Sequence, residues 1–242
     1  MSNNWLMPLR FPIVLVLSLV CLPTPACADF ETGMDAYQRG NYVAALSEWR
    51  PLAEQGDPSA QFYLGLLYDK GDGVPQDYTM ARKWYEKAAV QGYPMAQTNL
   101  GVLYDKGDSL PQDYTKARQW YEKAAAQGYA MAQTNLGVLY ANGRGVRLDY
   151  TKAREWFEKA AAQGDAEAQF SLGLLYYYGL GVPQDDVRAY MWWSLAAAHS
   201  ASNAQKFAVD NRDEVADRMS PAQIAEAQRL AQQCQAQEFK GC

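Results

Sequence analysis

A strict internal period of 36 residues is the feature that most limits how this chain can fold. Four glycines and four tryptophans recur at that spacing, and no insertion interrupts the register across four units. The two sets are Gly65, Gly101, Gly137 and Gly173, and Trp84, Trp120, Trp156 and Trp192. A repeat of this length is typical of a supersecondary unit that buries its apolar face only by stacking on its neighbours.

The spacing of apolar residues within a unit is helical. In the first complete unit one stripe holds Ala60, Leu64, Leu67 and Tyr68, and a second holds Ala81, Trp84, Tyr85, Ala88 and Ala89. The glycines of Gly71-Asp-Gly-Val-Pro can end the first helix, and Asp77 stands where an N-cap for the second is wanted. Glycine within a helix costs about 1 kcal/mol against alanine, so Gly65 predicts a close helix crossing. We therefore predict an all-α fold, an α-solenoid of stacked antiparallel helix pairs.

The array divides into four segments. Residues 1–28 form a signal peptide, 29–57 a partial or capping repeat, 58–199 four repeats, and 200–242 the C-terminal capping helices. The period fails after Ala198. Beyond it, two stripes predict one helix over Asn203–Met219 and a last helix after Ser220-Pro221 that covers the open end. They hold Ala204, Phe207, Ala208, Val215 and Met219, and Ile224, Ala227, Leu230, Ala231 and Cys234.

The N-terminal segment is typical of a secretory signal. Arg10 precedes an apolar run from Phe11 to Leu22, and small residues predict cleavage after Ala28. The run is too short to span a bilayer of roughly 30 Å. Lipid modification of Cys27 is the alternative, although Thr24 stands where a lipobox normally has leucine. We expect a periplasmic or secreted protein with no membrane span after cleavage. Cys234 and Cys242 remain, and could form a disulfide that fixes the tail or stay as two thiols.

Charge and motifs favour a binding function over catalysis. The mature chain has 21 basic and 27 acidic residues, a net charge of −6, and no basic stripe that indicates nucleic-acid binding. His199 is the single histidine, and no GxSxG or phosphate-loop motif occurs. Histidines and cysteines are too few for a zinc site, and the loop aspartates do not fit an EF-hand. We expect no catalytic residue, no cofactor and no metal.

The repeat pattern A-x-x-x-L-G-x-x-Y-x-x-G-x-G-V-x-x-D-x-x-x-A-x-x-W-x-x-A-A-x-x-G resembles the Sel1-like repeat, a relative of the tetratricopeptide repeat. The resemblance covers about residues 35–200 and departs at Ser109, where a loop glycine is expected. It implies an exported bacterial adaptor or scaffold that binds a protein or peptide. A cysteine-rich branch of the family is associated with β-lactam binding or hydrolysis, so an enzyme acting on β-lactams or cell-wall peptides is the alternative. That branch has a cysteine pair in each repeat, which these repeats lack.

Columns that change between units indicate where a partner binds. If the first helices line the inner curve, as in related arrays, an asparagine-containing polar middle lies between aromatic ends. The amides would bind the backbone of an extended peptide and the aromatic residues its anchors. The alternative is that these positions are merely solvated. We expect a monomer whose partner-binding residues on the concave face are Phe62, Tyr63, Thr98, Asn99, Thr134, Asn135, Phe170, Tyr177 and Tyr178.

Overall fold

The computed structural model describes residues 28–108, 111–199, 203–239 and 241–242. These residues form helices and connections without strands, which confirms the all-α prediction. The helices are α1 (Phe30–Gln38), α2 (Tyr42–Gln55), α3 (Pro58–Lys70), α4 (Tyr78–Val90), α5 (Pro94–Lys106), α6 (Tyr114–Ala126), α7 (Ala130–Asn142), α8 (Tyr150–Ala161), α9 (Ala166–Tyr178), α10 (Asp186–His199), α11 (Asn203–Ala216) and α12 (Pro221–Ala236). The signal peptide prediction falls outside the described residues except at Ala28, and so does the Ser109 departure.

Each repeat is an antiparallel pair in which the mid-helix glycine contacts an aromatic ring. We call α3, α5, α7 and α9 the first helices, and α4, α6, α8 and α10 the second helices. A Cβ on Gly65 would lie 2.7 Å from the Tyr85 ring, and one on Gly101 would lie 2.5 Å from Tyr121. These distances are too short for any real Cβ, which confirms the close crossing predicted from the glycine column.

The tryptophan column joins one unit to the unit before it. Trp84 is buried in the core cluster that Trp49 and Leu64 help to form, so its indole crosses from α4 to the preceding helices. Helix ends also follow the prediction. Gly71 ends α3 with φ 77°, and the Asp77 carboxylate caps α4 by accepting hydrogen bonds from two backbone N–H groups.

A buried glutamine ladder, absent from the predictions above, ties consecutive units together. The Gln61 amide donates to the Ala53 carbonyl at the end of α2, at 3.0 Å, and accepts from the Gln91 amide at 2.8 Å. Equivalent bonds recur at Gln97 and Gln133. Because buried amides need partners, each rung specifies the distance between neighbouring units.

The front of the array is a complete helix pair. Gly33 of α1 meets the Trp49 ring of α2, where an added Cβ would lie 2.3 Å from Nε1. The connection between these helices is shorter than in the later repeats, which moves the glycine out of the 36-residue column. Residues 29–57 thus reproduce the glycine–aromatic contact with a shortened turn.

The C-terminal end departs from the predicted stripes at Phe207. Ala208, Val215 and Met219 are buried as expected, but Phe207 is 62% exposed because α11 turns that face to solvent. Both α11 and α12 pack against α10 rather than chiefly against each other. The stripe of α12 covers the end of the array, with Ala227, Ala231 and Cys234 buried.

The tail is fixed by a disulfide between Cys234 and Cys242. The turn between these cysteines places the Phe239 ring against Gly164. In the described part of the chain, no helix combines the length and the apolar character needed to cross a membrane.

Candidate functional site

One face of the four first helices is left uncovered by the second helices. We call it the first-helix face, and four positions on each helix form it, at spacing i, i+4, i+7 and i+11. All of its side chains are half-exposed or exposed. They are Ser59, Tyr63, Leu66 and Lys70; Met95, Asn99, Val102 and Lys106; Met131, Asn135, Val138 and Asn142; and Glu167, Ser171, Leu174 and Tyr178.

Five of the nine predicted binding residues lie outside this face, namely Phe62, Thr98, Thr134, Phe170 and Tyr177. Phe62, Thr98 and Thr134 are buried, so the expectation that they point outwards is wrong. Their column lies at the contact with the next unit. The Phe62 ring packs on Tyr93 with centroids 5.4 Å apart, and the Thr134 hydroxyl donates to the Asp165 carboxylate at 2.9 Å.

Asn99 lies on the first-helix face but is also part of a structural hydrogen-bond chain. Its amide donates to the Tyr85 hydroxyl at 3.1 Å, and that hydroxyl donates to the Asp69 carboxylate at 3.2 Å. Burial raises the pKa of Asp69, and burial also raises the pKa of Tyr85. Replacing Asn99 would therefore disturb the fold as well as any partner.

The columns that contain Asp69, Tyr85 and Asn99 change together along the array. Asp105, Tyr121 and Asn135 repeat the residue types of the first chain in the second unit, and burial raises the pKa of Tyr121 and of Asp105. In the third unit the columns hold Ala141, Phe157 and Ser171. Where the hydroxyl is lost, the carboxylate and the amide are lost too, so part of the variation in these columns is internal to the fold.

Aromatic residues mark both ends of the first-helix face. Tyr63 packs on Trp49 with ring centroids 4.8 Å apart and keeps part of its surface in solvent. At the other end Tyr178 is 64% exposed, whereas the Tyr177 hydroxyl donates to the Glu214 carboxylate at 3.0 Å. Phe170 is half-buried beside Trp193. The exposed Phe207 stands one period after Ser171 and so continues the Tyr63 column.

Two tyrosines that the predictions above missed lie at the beginning of the central first helices. Tyr93 and Tyr129 are the N-cap residues of α5 and α7, and neither side chain caps its helix. Asp57 and Asp165 occupy the same column, and their carboxylates accept from the third residue of α3 and α9 at 2.7 and 2.8 Å. The sequence signal was available, because the column reads Asp, Tyr, Tyr, Asp.

Tyr129 lines an open groove of about 400 Å³ between the beginnings of α5 and α7. Its other walls include Pro94, Met131, Gln127 and Gln163. Met131 is 49% exposed, and methionine is a flexible side chain that fits varied apolar partners. Among the described residues no group of three or more histidines, cysteines, aspartates or glutamates could hold a metal ion.

Comparison with protein-family models matches the Sel1 repeat over residues 58–93, 94–129, 130–165 and 166–200. Comparison with solved structures finds a protective antigen of uropathogenic Escherichia coli that displays an SLR fold. It is 37% identical with TM-score 0.79, and the match covers 87% of this chain and 46% of that chain. This chain therefore spans about half the length of that relative.

A Sel1 repeat protein from Oxalobacter formigenes is also 37% identical, with TM-score 0.68, covering 76% of this chain and 73% of that one. A Sel1 repeat protein from Klebsiella pneumoniae, 22% identical with TM-score 0.53, covers 77% of this chain and 91% of that chain and shows the fold alone. No curated protein sequence matches the chain.

Proposed function

The chain belongs to the Sel1 repeat family, and on that premise we propose that it is an exported scaffold that binds a protein or peptide through its first-helix face. Sel1 repeat solenoids commonly act as scaffolds for protein–protein interaction. Export is supported by the signal-like residues 1–28 and by the Cys234–Cys242 disulfide, a bond typical of oxidising compartments.

The exchange of capping aspartates for tyrosines carries this proposal. Loss of a good N-cap costs a helix about 1 kcal/mol, and the array accepts that cost at both Tyr93 and Tyr129. Tyr129 and Met131 line the same open groove, where tyrosine and methionine supply contact area for an apolar anchor, and Tyr93 and Met95 hold the matching positions one period earlier. Asn99 and Asn135 lie one turn further along the same helices and would bind backbone groups of the partner.

No observation on the described residues favours the enzymatic alternative, and Sel1 repeat proteins are typically non-enzymatic scaffolds. The described repeats contain no cysteine pair. We therefore do not propose activity on β-lactams or cell-wall peptides.

Crosslinking in the native envelope, followed by mass spectrometry, tests the proposal. The informative variant is Tyr129→Asp with Met131→Glu, because the fourth repeat carries Asp165 and Glu167 at these columns and folds with them. We expect partners retained by the wild type to be lost from this variant, while its melting temperature does not fall below that of the wild type.

The matched control replaces two exposed apolar residues outside the first helices and adds the same net charge. Val43→Glu with Val90→Glu removes side chains that are 64% and 74% exposed on α2 and α4. This control should keep the partners of the wild type. Equal crosslinking by all three proteins would rule out the first-helix face as the binding site.

A further inference from the structure

The connection between α7 and α8 carries two arginines that the other connections do not have. It reads Gly143-Arg-Gly-Val-Arg, whereas the first and fourth repeats have Gly71-Asp-Gly-Val-Pro and Gly179-Leu-Gly-Val-Pro. The backbone is shared, because the two glycines have φ near 65° here and between 66° and 77° in the other two. The arginines are therefore not required by the turn itself.

This connection closes against the preceding unit and forms a pocket. A Cβ on Gly145 would lie 2.7 Å from the backbone of Tyr114, so the loop is pressed on the beginning of α6. The resulting cavity has a volume of about 420 Å³. We call it the third-loop pocket, and its charged or aromatic walls are Arg118, Tyr140, Arg147, Asp149 and Lys152.

Two cations of the third-loop pocket have no carboxylate partner among the described residues. Arg118 is paired with Glu122 at 3.3 Å, but no ion pair in the described segments includes Arg147 or Lys152. The Lys152 ammonium lies 5.4 Å from the centre of the Tyr140 ring. Asp149, the one acidic wall residue, caps α8 by accepting from the Lys152 backbone N–H at 3.0 Å.

The neighbouring units show that this excess of positive charge is local. In the column of Lys152, Lys116 pairs with Asp113 and Arg188 pairs with Asp185, both at 3.6 Å. The first unit has Met80 in that column and Pro75 in the column of Arg147. Two cations without an ion-pair partner among the described residues thus lie on a chain whose formal net charge is −5.

We propose that the third-loop pocket binds an acidic segment of a partner protein, with side-chain carboxylates reaching Arg147 and Lys152. Complementary charge of this kind orients and selects partners. The pocket is confined to one connection, whereas nucleic-acid binding needs a longer basic stripe, so a peptide fits the charges better. This site is independent of the first-helix face and is tested with different variants.

The test measures fluorescence anisotropy of a labelled glutamate peptide of about ten residues titrated with the full mature chain. The test variant is Arg147→Pro with Lys152→Met, which introduces the residue types of the first unit. The control is Arg50→Gln with Lys83→Gln, which removes two exposed cations from α2 and α4. We expect about tenfold weaker binding for the test variant, because it loses two exposed charge pairs with the peptide.

Binding should also weaken at high salt, where exposed charges are screened. Arg147→Gln with Lys152→Gln repeats the charge removal without a proline, and should weaken binding to the same extent. Absence of binding by the wild type, or an equal loss in the control, would overturn the proposal. So would tighter binding of a single-stranded oligonucleotide of matched charge.

Discussion

At the residue scale, one column of the array holds two kinds of N-cap residue, and only one kind caps its helix. Asp57 and Asp165 accept hydrogen bonds from the first turn of their helices, whereas Tyr93 and Tyr129 do not. A tyrosine at an N-cap leaves backbone N–H groups to water. Helices α5 and α7 are therefore less stable than they would be with the aspartate cap that α3 and α9 have.

We expect Tyr129→Asp to raise the free energy of unfolding by about 1 kcal/mol, because a carboxylate would cap α7. The Thr98 hydroxyl now donates to the Pro94 carbonyl at 2.8 Å and could donate to the new carboxylate instead, as Thr134 donates to Asp165. Urea denaturation followed by circular dichroism measures the change. Tyr129→Ala is the control and should give no gain, and an unchanged midpoint for Tyr129→Asp would contradict the capping argument.

Asp69 predicts a pH dependence of stability. Burial raises its pKa in the folded protein, so the folded state binds this proton more tightly than the unfolded state does. Its contribution to stability therefore falls as the pH rises from the unfolded pKa through the raised folded value. The stability gained by Asp69→Asn should grow across that window and level off at neutral pH.

Denaturation of both proteins at a series of pH values measures this difference. Tyr85→Phe provides a second comparison, because it removes the hydroxyl whose hydrogen bond lowers the pKa of Asp69. Its loss should raise that pKa further and extend the window to higher pH. A difference between wild type and Asp69→Asn that does not vary with pH would show that burial of Asp69 has no energetic effect.

At the element scale, the helix pair depends on a contact in which the glycine backbone touches an aromatic ring. Gly101→Ala should destabilise the protein by about 2 kcal/mol, because the new methyl group overlaps the buried Tyr121 ring. That loss exceeds the gain of about 1 kcal/mol in helix propensity. Chemical denaturation measures the net change in the free energy of unfolding.

The same substitution in a Tyr121→Leu background separates these two effects. Without the ring the added methyl group has room, so the cost of Gly101→Ala should shrink markedly. An equal cost in both backgrounds would mean that the destabilisation has a cause other than the ring contact.

How far the sequence predicts these elements depends on whether a residue acts within one unit or between units. Gly65 and Trp84 were identifiable because every repeat needs them. The burial of Phe62 and Thr98 was not identifiable, because it depends on the angle at which one unit packs on the next. The glutamine ladder has the same origin, since its donors and acceptors belong to different helices.

Similar reasoning explains the C-terminal end. Helix α11 begins at Asn203, one residue later than the period places a fifth first helix. The sequence predicts a helix over Asn203–Met219 but does not show that this helix continues the repeat. Val209 stands in the glycine column and Gln228 in the tryptophan column, so the residues that reveal a repeat are missing. Without them α11 cannot pack on α12 as the earlier pairs do.

At the scale of the whole molecule, the array is stable only if its last unit is covered. The α12 stripe and Phe239 of the disulfide-closed tail do this by packing on the cluster that contains Trp192. Cys242→Ser should lower the free energy of unfolding by no more than about 3 kcal/mol, because the closed loop is short. The tail should become the first site of proteolysis, whereas the repeats stay protected.

Limited proteolysis with mass spectrometry measures this order of cleavage, and reduction of the wild type should reproduce it. Ser109 lies far from the tail in sequence, and Ser109→Ala provides a control with both cysteines present. Early cleavage within the repeats of Cys242→Ser would show that the tail supports the entire array rather than its end.

The glutamine ladder has a consequence for how such proteins change over evolutionary time. Gln97 and Gln133 make the same bonds at successive joints, so a duplicated or deleted unit would meet its new neighbours through contacts that already exist. The length of the array is then a trait that selection can adjust in whole units. A longer or shorter partner could be accommodated without the invention of a new interface.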